Sequence, residues 1–196
     1  MVCACAQPVP ANAPLYWVAS AGYFAYMFCR VAASSATVRS LGASQLMDAP
    51  GQEPSVTLLD WVRARWVLAG GVEPRRLAQV SGNGTARYWV VKLIRESTTQ
   101  GDALVQTMSS APPALFAQGF VAAAGGARRM VVVNKVNAWA SVDLAGACPP
   151  PACACAGAAV LDEFTGLSPP RVEPCGAGPS LLLAPYAVAV VSFSAA

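Results

Sequence analysis

Histidine is absent from this 196-residue chain. That removes the commonest general base, the commonest metal ligand and every Ser–His or Cys–His nucleophile pair. Proton chemistry is left to carboxylates, Lys, Tyr and Cys. Charge is scarce too: charged residues make up 12% of the chain, against roughly a quarter in ordinary soluble domains. The net charge of +3 is scattered, with no Lys/Arg run and no basic stripe among aromatics, so nucleic acid is not an expected partner. Met1 to Pro14 lacks the basic region that opens a signal peptide. Long apolar runs are missing as well. Leu15 to Cys29 is uncharged for 15 residues, short of the roughly 20 that span a bilayer, so a membrane is not an expected partner.

Seven cysteines are present, and an odd count leaves at least one outside any intrachain pair. Cys3 with Cys5 and Cys153 with Cys155 form C-x-C pairs inside Ala/Pro-rich tracts. Zinc sites favour C-x₂₋₄-C pairs in turn geometry, so no metal site is assigned and the tracts read as low complexity. Cys148 or Cys155 can pair with Cys175 in an oxidising compartment, which the sequon Asn83-Gly84-Thr85 also suits.

Residues 1–14 read as a low-complexity leader, because Pro8, Pro10 and Pro14 hold off a helix until Leu15. In the helix that follows, Trp17, Tyr23, Phe24, Met27 and Phe28 spread round the circumference, which predicts burial on most sides. Val38 to Met47 suits a buried strand closed by Asp48, Pro50 and Gly51. Residues 62–79, with Arg63, Arg65, Arg75, Arg76 and the pair Gly70-Gly71, show no period and read as an insertion. Ser81-Gly82-Asn83-Gly84 is expected to turn into a helix over Ala86 to Thr98, whose apolar face is Trp89, Val90, Leu93 and Ile94. Beyond it the pattern changes to short strands: Leu104–Met108, Leu115–Ala122, Arg128–Val136, Ala138–Leu144, Ala159–Phe164, Ser180–Leu183 and Ala187–Phe193. Gly125-Gly126 marks a hairpin turn. Residues 148–157 read as a low-complexity loop insertion. This series, with no helix inside it, predicts an antiparallel β-sandwich over residues 102–196.

LGASQLMDAPGQEPSVTLLDW, ARYWVVKLIREST, GDALVQT, ARRMVVVNKVNAWASVDLAG, AAVLDEFTG and LLLAPYAVAVVSF together resemble the carboxyl end of a clan A retaining glycoside hydrolase, similar to the heparanase and β-glucuronidase-like group. The resemblance implies a mainly β fold: an antiparallel β-sandwich preceded by a remnant of a (β/α)₈ barrel, its last strand and helices, over residues 15–101. It implies carbohydrate as partner, no cofactor, and a secreted or extracellular location. Such enzymes use two carboxylates about 5–5.5 Å apart, at the ends of barrel strands upstream of this chain. The chain is therefore expected to be a truncated product, inactive alone, and no catalytic residue is assigned. Glu53 lies beside Pro54 and reads as a solvated loop acid. By the same resemblance Gln45, Asp60 and Trp61 are the candidate substrate-binding residues, with packing between barrel and sandwich the competing role for Trp61. Two other readings stay open. One is a non-catalytic carbohydrate-binding or adhesion sandwich with Trp139 as a sugar platform or a core residue. The other is a membrane anchor over Leu15–Ala33.

Overall fold

The computed structural model of the chain describes residues 13–34, 59–62, 79–147, 153–165, 168–175 and 180–195. Within them lie two helices, α1 (Ala13–Ala32) and α2 (Ala86–Ser97). The strands are β1 (Leu59–Val62), β2 (Gln79–Gly84), β3 (Ala103–Val105), β4 (Leu115–Val121), β5 (Arg128–Asn134), β6 (Ala140–Asp143), β7 (Cys153–Leu161), β8 (Arg171–Glu173), β9 (Ser180–Leu183) and β10 (Val188–Ala195). The expected strand at Val38–Met47, together with Gln45 and Glu53, lies outside the described residues.

The organising element is a sheet in the order β3-β4-β5-β10-β7-β8, antiparallel throughout. Its central strands carry near-continuous apolar runs, Met130-Val131-Val132-Val133 in β5 and Val188-Ala189-Val190-Val191 in β10. Such runs suit strands covered on both faces, and all eight of these residues are buried. Successive side chains point to opposite faces. Val131, Val133, Leu161, Val188 and Val190 pack with the helices, while Met130, Val132, Val160, Ala189, Val191 and Phe193 pack against the other side. The register keeps these sets in layers: Val190 lies between Val131 and Ala159, and Val191 between Met130 and Ala158.

A second, two-stranded sheet, β6 with β9, covers the face opposite the helices. Its alternation is clear in β9, where Leu181 and Leu183 are buried and Leu182 is exposed. The mainly antiparallel β expectation holds, and among the described residues the second layer amounts to these two strands. Each of the seven expected strand regions is occupied. Two features differ. Residues Cys153–Gly157, expected in a loop, form the first half of β7, because Cys153, Ala154 and Cys155 pair with Ala195, Ser194 and Phe193. The short strand β8 was not expected; Val160 and Ala159 recruit Arg171 and Val172 to the sheet edge.

The helices lie on the other face. α1 buries Val18, Ala21, Gly22, Ala25 and Cys29, a stripe at helical spacing, and leaves Tyr23 and Met27 exposed. This corrects the expectation of burial on most sides. The fully buried stripe is of small residues, with Phe24, Phe28 and Tyr26 packing at its margins, and it lets the helix backbone approach closely: a Cβ on Gly22 would stand 3.1 Å from the Tyr186 carbonyl oxygen. No helix among the described residues is long and apolar enough to cross a membrane. α2 buries Ala86, Val90, Leu93 and Ile94, with Trp89 partly buried beside them. Thr85 caps its start by accepting from the Tyr88 amide at 3.4 Å. At the other end the Arg129 guanidinium donates to the Ser97 carbonyl at 2.8 Å. Arg87 donates to the Ser20 hydroxyl at 2.8 Å, tying α2 to α1, and burial lowers its pKa.

The predicted turn at Ser81–Gly84 is instead strand β2, paired antiparallel with β1. Gly84 is required at its end, since a Cβ there would meet the Tyr88 ring at 2.0 Å. The Gly125-Gly126 hairpin is as expected, with φ of +79° and +66° at the two glycines.

Candidate functional site

Of the residues expected to meet substrate, Gln45 lies outside the described residues, and Asp60 and Trp61 lie on β1, where Trp61 pairs with Val80. The surface feature that stands out elsewhere is an aromatic pair. Trp139 is 56% exposed and Phe164 64% exposed, yet their rings stack with centroids 6.2 Å apart and planes 27° from parallel. Trp139 therefore is not a core tryptophan. The pair sits where β5 and β7 end and β6 begins.

Each ring is displayed by a buried polar residue. Asn134 closes β5 and is 1% exposed. Its amide nitrogen donates to the Ala138 carbonyl at 2.7 Å and the Ala184 carbonyl at 2.8 Å, while its oxygen accepts from the Val136 amide at 3.2 Å. The Asn134 backbone amide also donates to Ala187 at 2.9 Å. One side chain thus folds residues 134–138 into a bend and locks it to the turn at Pro185-Tyr186, so that Trp139 emerges at the bend's exit. That turn has Pro at its second position and a positive φ of 56° at Tyr186, the signature of type II. Tyr186 accepts this unfavourable conformation because its ring packs on the helix-side core and its amide donates to Val136 at 3.2 Å.

Asp162 does the same work after β7. It is 1% exposed, and its Oδ1 accepts from the amides of Phe164 at 3.0 Å and Thr165 at 3.2 Å. The Thr165 hydroxyl returns a bond to the Asp162 carbonyl at 2.7 Å. This Asx turn leaves Phe164 no path except outward. A buried carboxylate needs a counter-charge, and Arg171 on β8 supplies it through a hydrogen-bonded ion pair with Oδ2, the same Nη2 lying 3.1 Å from Glu173. A disulfide joins Cys155 to Cys175, one of the two pairings expected, with Cα atoms 5.8 Å apart. It closes the loop that contains Asp162, Phe164 and Arg171.

A concavity of about 710 Å³ lies beside β3 and β4 where the two-stranded layer stops. Two of its hydroxyls are used internally: Thr107 donates to Val105 at 2.9 Å and accepts from the Gly119 amide at 2.8 Å, and Ser109 accepts from the Ala111 amide at 3.1 Å. It reads as a gap in the layering.

No group of three metal-ligating side chains occurs among the described residues. Cys29 is a free thiol whose burial pushes its pKa up to about 12, so it is no nucleophile. Sequence reasoning weighed Trp139 but passed over Phe164, Asn134 and Asp162. The signal available was Asp162-Glu163-Phe164-Thr165, an Asp–Thr pair at turn spacing directly after an apolar strand.

No family model and no curated protein matches the chain. Its fold is similar to parts of several solved structures. A GH30 endoxylanase from Clostridium papyrosolvens C71 superposes with a TM-score of 0.46 at 14% identity, over 61% of this chain and 30% of that one. A bifunctional glucanase-xylanase from a metagenome library gives 0.41 at 22% identity, over 61% and 24%. A conserved exported protein from Bacteroides fragilis gives 0.46 at 12% identity, over 70% and 27%. The chain spans less than a third of the length of each, and the likeness is one of fold alone.

Proposed function

We propose that this chain contacts carbohydrate without cleaving it, with Trp139 and Phe164 as the platform. The observation that carries this reading is the exposed pair of stacked, nearly parallel rings held by two buried polar clamps. Solvent-exposed aromatics fixed in place by a rigid scaffold mark binding surfaces, and a flat apolar face bordered by polar groups suits the C–H face of a sugar ring.

Catalysis is not part of the reading: among the carboxylates whose side chains are described, all but Glu163 are engaged elsewhere, and one carboxylate is not the pair that retaining hydrolysis uses. Asp162 and Glu173 share Arg171. Asp143 accepts from the Ala145 amide at 2.9 Å, and Glu96 pairs with Lys92. The Thr99 amide and hydroxyl hold Asp102 below the usual carboxylate range, the opposite of the raised pKa that suits a general acid.

The resemblance in sequence to the carboxyl end of a retaining glycoside hydrolase of the heparanase and β-glucuronidase-like group supports a more specific form of the proposal. There the chain is the sheet-rich end of such an enzyme, α1 and α2 belong to a barrel remnant, and Gln45, Asp60 and Trp61 lie at the substrate-facing rim. An extracellular setting belongs to the same proposal and is supported by the Cys155–Cys175 bond.

Sedimentation of the purified chain with insoluble polysaccharides, alongside turnover of synthetic glycosides, tests the reading. Binding without turnover is expected. Glycosidase turnover by residues 1–196 refutes the non-catalytic reading.

A further inference from the structure

The surroundings of the platform narrow its ligand, on the premise that the platform binds sugar. The loop that displays Phe164 carries Asp162, Glu163 and, through Arg171, Glu173, so three carboxylates stand against one guanidinium. Arg171 is shared by Asp162 and Glu173, so the group keeps a net charge of −2, and Glu163, the immediate neighbour of Phe164, is in no ion pair among the described residues. On the Trp139 side the nearest cation in sequence is Lys135, and it is committed away from the platform. Its ammonium donates to the Pro112 carbonyl and lies 5.5 Å from the centre of the Tyr26 ring, on the α1 side of the sheet.

Backbone donors tell the same story. A turn with free amides binds carboxylate or sulfate groups. Here the amides of Phe164 and Thr165 both donate to Asp162 Oδ1, and the amide of Val136 donates to Asn134 Oδ1. The clamps that hold the rings also take up these three backbone donors, which an anion could otherwise use. What the rim offers is an acceptor, the Glu163 carboxylate, which takes hydroxyl protons.

We propose that the Trp139–Phe164 platform selects neutral glycans, whose hydroxyls donate to the rim, over uronate-bearing or sulfated ones. Two uncompensated negative charges about 6 Å from a ligand anion disfavour it about tenfold in water at low ionic strength, and salt shrinks the gap.

The full chain is tested by affinity electrophoresis against unsubstituted xylan and mannan as neutral probes, and polygalacturonate and heparin as acidic ones, at 10 mM and 150 mM NaCl. The expected result is Trp139-dependent retardation by a neutral probe that salt leaves unchanged, with acidic probes weaker by about tenfold at low salt. Glu163→Lys is expected to narrow that gap severalfold, and Trp139→Tyr to keep neutral binding that Trp139→Ala loses. Equal or tighter Trp139-dependent binding of an acidic probe at low salt overturns the selectivity while leaving the platform standing. Absence of Trp139-dependent binding to all four probes overturns the platform itself, and the selectivity with it.

Discussion

The middle of the large sheet and its loop end are built on opposite principles. Around β5, β10 and β7 the buried core side chains are Val, Leu, Ala, Met and Phe, and they touch one another on both faces. At the end where Trp139 and Phe164 emerge, the buried side chains that matter are Asn134, Asp162 and Thr165, and each bonds to backbone, with Asp162 also taking the Arg171 guanidinium. Apolar packing is non-directional and fixes a fold by volume and area. Buried polar groups are directional, and unmade bonds there are costly. The centre therefore sets how stable the molecule is, and the loop end sets what it shows to solvent.

That contrast is sharpest under substitutions that hit one region and spare the other. Leu161→Ala or Leu183→Ala, both at fully buried sites, is expected to cost about 2–5 kcal/mol, read as a shift in denaturant midpoint. Either substitution leaving the midpoint unchanged breaks the assignment of stability to the centre. Reducing Cys155–Cys175, 20 residues apart, is expected to cost about 3 kcal/mol by loop entropy, measured by denaturation with and without reductant. Asn134→Ala strands the buried Ala184 carbonyl, at about 1–3 kcal/mol, and removes the partner of the part-buried Ala138 carbonyl and Val136 amide. Ligand affinity should fall with it, because the bend carrying Trp139 loses its tie to Ala138 and Ala184.

Cys29 gives a readout confined to the helix side. Below about pH 9 its thiol is protonated folded or unfolded, so it imposes no pH dependence. Between 9 and about 12 the folded state keeps a proton that the unfolded chain releases, so stability falls as pH rises. Cys29→Ala should flatten that limb of a stability–pH curve. In native protein at neutral pH the thiol should resist labelling, and rapid labelling would mean that α1 is not docked. The smallest stability effects are expected at the platform: Trp139→Ala and Phe164→Ala should stay within about 0.5 kcal/mol of the parent.

The same contrast explains what the sequence disclosed. The strands of the centre were legible, because RRMVVVN, AAVL and AVAVVSF carry period and β-branched residues that packing then uses. The half-strand Cys153–Gly157 was hidden, since CACAG has little strand propensity of its own and is held by its pairing with β10. α1 was misread because bulk was taken as the mark of burial, whereas close approach to the sheet favours Ala21, Gly22 and Ala25. Trp139 was visible as a residue, but its exposure is decided by Asn134 reaching Ala184, 50 positions away. No local pattern records such a bond.

The most direct test pairs two numbers from one variant: the denaturant midpoint of Trp139→Ala and its retention by an insoluble polysaccharide that holds the parent chain. An unchanged midpoint with retention lost is the result expected of a displayed platform on an independent core. Retention that survives in a fully folded variant would contradict it.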